Sequence, residues 1–133
     1  MTMSEKEQWI AQAIHACNHA YVPYSKFPVG AALVTKTGEV YEGCNIENAS
    51  FGLTNCAERT AFFKAVSEGN KEFQHLVVVG NTEAPISPCG ACRQVMAEFC
   101  SPDMPVTLVS ESGETKETTV ASLLPYSFDK DQM

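Results

Sequence analysis

Two short segments concentrate the residue types that do chemistry, Cys56-Ala57-Glu58-Arg59 and Pro88-Cys89-Gly90-Ala91-Cys92-Arg93. Each puts a cysteine where a helix is expected to begin. The unpaired N–H groups and the dipole of a helix start stabilise negative charge, so a thiol there loses its proton more readily and becomes the thiolate that a metal binds. Cys89 and Cys92, at i and i+3, face one side of their helix start, and Cys56 would bring a third sulfur. Three thiolates suit zinc, a borderline-soft ion, and leave its fourth tetrahedral position open. Taken alone, Cys89 and Cys92 also fit a redox pair, or half of a structural zinc site completed by Cys44 or Cys100. Glu58 favours catalysis, because a carboxylate beside the open position can take a proton from water and pass it to a substrate. Its plainer role is an acidic residue well placed in the first turn of a helix.

Charge adds a constraint. Zinc at +2 with three thiolates nets −1, and Glu58 adds another negative charge, so a cation is expected nearby. The chain has two arginines, Arg59 and Arg93, and each directly follows one of the motifs. Donating to thiolate sulfur, they would drain charge from it and restore the acidity of the metal centre. Exposed arginines at helix starts are the plain alternative. His15 and His19, at i and i+4, have a spacing compatible with a metal but no acidic partner motif, and read as exposed or partly packed. His75 reads as structural. Cys17, Cys44 and Cys100 sit among apolar residues and read as small buried hydrophobes.

The elements that must position these groups follow from periodicity. Ser4 and Glu7 have capping-box spacing, and Trp9, Ile10, Ala13, Ile14 and Cys17 recur at helical spacing, which predicts a first helix. Tyr21 to Pro28, with two prolines, reads as a loop. Val29 to Thr35 and Glu39 to Cys44 flank Lys36-Thr37-Gly38 as a hairpin. Ala57 to Ser67 reads as a helix with Gly69 just past its end. Leu76 to Val79 is a β-branched run expected of a strand covered on both faces. Gly90 to Cys100 reads as a helix with Ala91, Val95, Met96 and Phe99 on one stripe, and Val106 to Val109 as the next strand, giving a right-handed βαβ crossover. An edge strand near Lys116 to Thr119 and a helical turn at Val120 to Leu124 complete the chain. The expected fold is α/β, a three-layer α/β/α sandwich with a mixed sheet of about five strands, in one domain over residues 1–133.

Composition excludes several classes. The chain has 133 residues, 44% hydrophobic, with 9 − 16 = −7 formal charge. At this length a proper core forms without staples. No apolar run approaches the ~20 residues that span a bilayer, and the polar start does not resemble a secretory segment, so a cytoplasmic protein with no membrane association is expected. Reduced cysteines follow from that compartment. A pI near 4.8 without a basic cluster argues against a nucleic-acid partner.

C-A-E-R followed by P-C-G-A-C-R-Q resembles the zinc signature of the cytidine deaminases, in the three-cysteine form of the short homotetrameric class. Pro23-Tyr24-Ser25-Lys26-Phe27, Gly43-Cys44-Asn45-Ile46-Glu47-Asn48, Thr60-Ala61 onward and Leu123-Leu124-Pro125 also resemble segments of that family. The resemblance implies one zinc ion per subunit on Cys56, Cys89 and Cys92, with Glu58 as proton shuttle. It implies hydrolytic deamination of cytidine and 2′-deoxycytidine in pyrimidine salvage, with metal-activated water attacking C4 and Glu58 protonating N3 and then the departing amino group. Ala57 N–H is implied as a donor to the pyrimidine O2, Asn45 and Glu47 as partners of the sugar 3′-hydroxyl, and Phe27 as the aromatic against the base. Phe128 is implied to reach a neighbour's site in a homotetramer whose sites are shared between subunits, as is the stretch 49–53, where Phe51 stands in place of a Tyr in some relatives. Rival readings are a deaminase of a modified, blasticidin-type cytosine nucleoside, a nucleic-acid editor disfavoured by the charge, and a non-catalytic structural zinc module.

Overall fold

The computed structural model describes residues 4–128. Its first helix, α1 (Glu5–Cys17), starts at a reciprocal cap: Ser4 Oγ accepts from Glu7 N, and Glu7 Oε1 from Ser4 N, both at 3.2 Å. There follow strands β1 (Val29–Thr35) and β2 (Val40–Cys44), a 3-10 turn (Phe51–Leu53), helix α2 (Ala57–Ser67) and strand β3 (Phe73–Gly80). Helix α3 (Gly90–Phe99), strands β4 (Pro105–Val109) and β5 (Thr115–Thr119) and the short helix α4 (Val120–Leu123) complete the described chain. The strands form one mixed sheet in the order β2-β1-β3-β4-β5. Antiparallel pairing joins β1 to both β2 and β3, whereas β3 and β4 run parallel because α3 carries the chain back across the sheet.

Side chains alternate between the two faces of this sheet. Leu33, Leu76, Val78, Val106 and Leu108 pack with Phe62, Met96 and Leu123 of α2, α3 and α4. Ala32, Val77, Val79 and Val109 pack with Trp9, Ile10 and Ala13 of α1. Period-two alternation with helices on both sides produces the expected three-layer α/β/α sandwich. Two strand glycines let the layers close: a Cβ on Gly30 would lie 2.0 Å from Ala13 O of α1, and one on Gly43 would lie 2.4 Å from Ala57 O of α2.

The elements match the sequence expectation closely, with local differences. Strand β3 extends from Phe73 to Gly80, beyond the β-branched run, because β1 pairs with it along that length. The turn at Phe51–Leu53 has no apolar periodicity to announce it. Ile14 is 47% exposed although it fits the apolar spacing of α1, since the close approach over Gly30 turns Ala13 and Ala16 to the sheet instead. Ala91 is likewise exposed, and Met96 and Cys92 carry the buried stripe of α3. Cys17, Cys44 and Cys100 are free thiols, each partly buried. Burial pushes Cys100 up to about 12 and raises the other two, so all three stay protonated. His15 and His19 are exposed, their rings 4.9 Å apart, with His15 Nδ1 2.8 Å from Glu42 Oε1.

His75 is buried on the α1 side of the sheet, its ring 5.1 Å from that of Trp9. Its Nε2 lies 2.7 Å from Thr107 Oγ1, which in turn donates to Glu117 at 2.7 and 2.9 Å, while Lys6 Nζ holds Glu117 Oε1 at 2.7 Å. Because the Thr107 hydrogen points at a carboxylate, the hydroxyl accepts from His75 Nε2–H. Burial lowers the His75 pKa from 6.5, against the opposing pull of the Glu117 charge. The neutral ring therefore contributes stability in full above the unfolded value, and that contribution is lost as pH falls below it. Thr107→Val should cost about 1–3 kcal/mol at neutral pH by leaving the buried ring N–H unpaired. Urea unfolding checks this, and an unchanged midpoint contradicts it.

Candidate active site

The two helix starts singled out in the sequence lie side by side over the end of the sheet. Cys56 is the N-cap of α2 and Cys89 the N-cap of α3, and neither side chain caps its helix. The helices begin instead with Thr60 N on Cys56 O at 3.0 Å and Arg93 N on Cys89 O at 3.1 Å, which leaves both sulfurs free to point at one another. Cys92, one turn into α3, is fully buried and completes the group. Cys56 Sγ lies 3.6 Å from Cys89 Sγ, Cys89 Sγ lies 3.3 Å from Cys92 Sγ, and all three fall within 4.8 Å of one another.

Arg59 Nη2 donates to Cys56 Sγ at 3.2 Å, and its Nε is buried without an acceptor among the described residues. Hydrogen bonding from Cys92, then from Arg59 and Cys89, draws Cys56 down to about 5 against the opposing effect of burial. The hydrogen bond with Cys56, then burial and the charges of Glu58 and Cys56, push the Cys92 thiol upward, since a second anion beside the first is costly. Glu58 is only 4% exposed, and burial, followed by the Cys56 charge, pushes its carboxyl up to about 7.

These donors suit zinc. Tetrahedral geometry with Zn–S near 2.3 Å calls for sulfurs about 3.8 Å apart. The observed separations lie near that, and soft thiolates favour zinc over hard cations. Arg59, aimed at the sulfurs with an unsatisfied buried N–H, is the cation such an anionic centre needs.

A cavity of about 210 Å³ opens beside the sulfurs, bordered by Cys56, Cys89, Ala57, Glu58, Phe27 and Asn45. Asn55, Ile86 and Ser87 also border it, and the sequence reading missed all three. Ile86 and Ser87 lie between β3 and α3, where only their nearness to the Pro88-Cys89 motif signalled a role. Asn55 immediately precedes Cys56, the corresponding clue. A larger hollow of about 590 Å³, lined by residues such as Phe99, Cys100 and Tyr126, lies away from every sulfur of the cluster.

The remaining sequence candidates divide. Asn45 holds the wall that carries Phe27, accepting from Val29 N at 2.9 Å and donating to Phe27 O at 2.8 Å. Glu47 does not border the cavity. It accepts from Tyr24 N at 3.0 Å, Ser25 N at 3.1 Å and the Ser25 hydroxyl, and that hydroxyl is the main cause of its lowered pKa. Between them Lys26 adopts φ +61°, a left-handed conformation unusual for lysine, which fixes the entry of Phe27. The Phe128 ring is 58% exposed and away from the cavity, its carbonyl accepting from Gln94 Nε2 at 2.8 Å. Arg93 spends its nitrogens on Pro88 O, Leu123 O and Ser87 Oγ rather than on sulfur.

Residues 3–108 match the family described as the cytidine and deoxycytidylate deaminase zinc-binding region. A cytidine deaminase of Sporosarcina psychrophila is 60% identical over 127 residues, 96% of this chain and 93% of that protein. The crystal structure of cytidine deaminase from Burkholderia pseudomallei superposes with a TM-score of 0.90 at 51% identity, over 96% of this chain and all of that one (100%). A blasticidin-S deaminase of Bacillus cereus is more distant, 35% identical over 114 residues, 80% of each chain.

Arg59→Gln removes the cation from the sulfurs while keeping a similar length. It should weaken zinc binding about 10- to 100-fold in competition with a chelator. Wild-type affinity would mean that the guanidinium does nothing for the metal centre.

Proposed function

The chain belongs to the cytidine and deoxycytidylate deaminase family, and from that premise we propose that it hydrolyses cytidine and 2′-deoxycytidine to uridine and 2′-deoxyuridine, releasing ammonia. The observation that carries this reading is the meeting of sulfurs from two helix starts with one buried carboxyl at a small cavity. Cys56, Cys89 and Cys92 would hold zinc, which would supply the Lewis acidity that makes water nucleophilic near neutral pH.

The rest is assigned to side chains and backbone of this chain. Glu58, with a carboxyl near 7, exchanges a proton readily at neutral pH. It takes one proton of the attacking water and delivers it to ring N3, which makes C4 electrophilic, then takes the remaining proton from the oxygen now on C4 and delivers it to the amino nitrogen, which leaves as ammonia instead of an unstable anion. In balance, one water is consumed, a C4–O bond forms and the C4–N bond breaks. The Ala57 N–H, at the first turn of α2, faces no helical acceptor and donates to the pyrimidine O2. Phe27 packs against the base. Asn45, with one amide hydrogen beyond its bond to Phe27 O, is assigned the sugar 3′-hydroxyl together with Glu47, which stands outside the cavity lining and would meet the sugar at its rim while still accepting from Tyr24 and Ser25.

The assembly is a homotetramer. Its support is the apolar surface near the site entrance, where Phe51 is 88% and Leu53 70% exposed, with Tyr21 and Ile46 about half exposed beside them. In that assembly the stretch 49–53 and Phe128 complete a neighbour's site. The protein works in the cytoplasm, in pyrimidine salvage. No helix among the described residues is long and apolar enough to cross a membrane.

Glu58→Gln should retain zinc and lose about 10²- to 10⁴-fold in kcat, followed as the loss of cytidine absorbance. A near-normal kcat contradicts the shuttle, and a zinc-loaded wild type that leaves cytidine unchanged contradicts the substrate.

A further inference from the structure

We propose that Arg93 is a positioning residue that fixes one wall of the substrate cavity and the approach of the Cys89 ligand. Its three guanidinium nitrogens take three acceptors in three directions: Nε donates to Pro88 O at 2.9 Å, Nη2 to Ser87 Oγ at 2.6 Å and Nη1 to Leu123 O at 2.7 Å. Two of these acceptors lie in the segment just before Cys89, and Ser87 itself borders the cavity. That segment, between β3 and α3, has no regular structure to hold it. A free loop there would let the Ile86 and Ser87 wall and the Cys89 sulfur drift together, and a shift of about 1 Å is enough to damage a site of this kind.

The third acceptor ties the wall to the C-terminal segment. Leu123 ends α4, where carbonyls lack helical partners, and Arg93 supplies the missing donor. The neighbouring Gln94 repeats the pattern by donating to Phe128 O at 2.8 Å. Helix α3 thus carries two metal ligands on its first turn and grips both flanking segments from the next residues. A planar fork with donors on several edges performs this task, and the single ammonium of a lysine does not. Arg59 and Arg93, equivalent in sequence position, are therefore unlike in role: Arg59 touches sulfur, and Arg93 acts only through the backbone and Ser87.

The test compares Arg93→Lys, Ser87→Ala and the double variant with wild type as zinc-loaded protein. Three readouts are used: the rate of zinc transfer to a chromophoric chelator, KM and kcat for cytidine, and the thermal midpoint. Arg93→Lys, although it keeps the charge, should release zinc about tenfold faster and raise KM about tenfold, with kcat changed less than KM. Ser87→Ala should move zinc release and KM in the same direction by a smaller factor, and the double variant should be no worse than Arg93→Lys alone. Wild-type zinc release and KM in Arg93→Lys overturn the proposal, as do additive effects in the double variant. Should the arginine variant fail to fold, Ser87→Ala decides alone, and wild-type zinc release in it overturns the proposal. The KM readout rests on the nucleoside reading above, whereas zinc release does not, so absence of turnover in the wild type sinks that reading and leaves this one to the chelator.

Discussion

Three sulfurs held within 4.8 Å of one another, beside a buried carboxyl, repel each other as soon as they ionise. Much of the architecture near the cavity answers that problem. Two helix starts face the cluster with free N–H groups, the Arg59 guanidinium sits against Cys56, and the donor set matches a divalent soft cation. The perturbed protonation follows from the same confinement: Cys56 is drawn down, Cys92 is driven up, and Glu58 is left near neutrality. A carboxyl poised there can both accept and give a proton at physiological pH.

Bringing two helix starts together demands exact layering rather than special chemistry. The sheet supplies it, since β2 approaches α2 so closely that Gly43 has no room for a side chain, and the parallel β3–α3–β4 crossover returns α3 to the same face as α2. Between the helices the cavity walls are irregular segments, each held by hydrogen bonds from outside itself. Asn45 and Glu47 hold the 24–29 segment, and Arg93 holds the residues before Cys89. Residues that read from sequence as direct participants thus also serve as anchors.

What the sequence disclosed depends on how local each signal is. The capping box at Ser4, the hairpin around Gly38 and the β-branched run in β3 are local, and each element appears where expected. The cysteine motifs were legible because residue type and helix-start placement together limit the chemistry. Directions of side chains were less so. Ile14 matched the helical stripe, yet close contact over Gly30 turned it outward, and Arg93 mirrored Arg59 in sequence but donates to Pro88 O, Ser87 Oγ and Leu123 O rather than to sulfur. Asn55, Ile86 and Ser87 carry no chemical signature, and only the fold brings them to the cavity.

The central claim is that the three sulfurs hold zinc with one position left for catalysis. X-ray absorption at the zinc edge of the purified protein tests it most directly. The account predicts three sulfurs at about 2.3 Å and one lighter oxygen or nitrogen neighbour at about 2.0 Å. Four sulfurs, with Cys44 or Cys100 recruited as the fourth, would contradict it and make the centre structural.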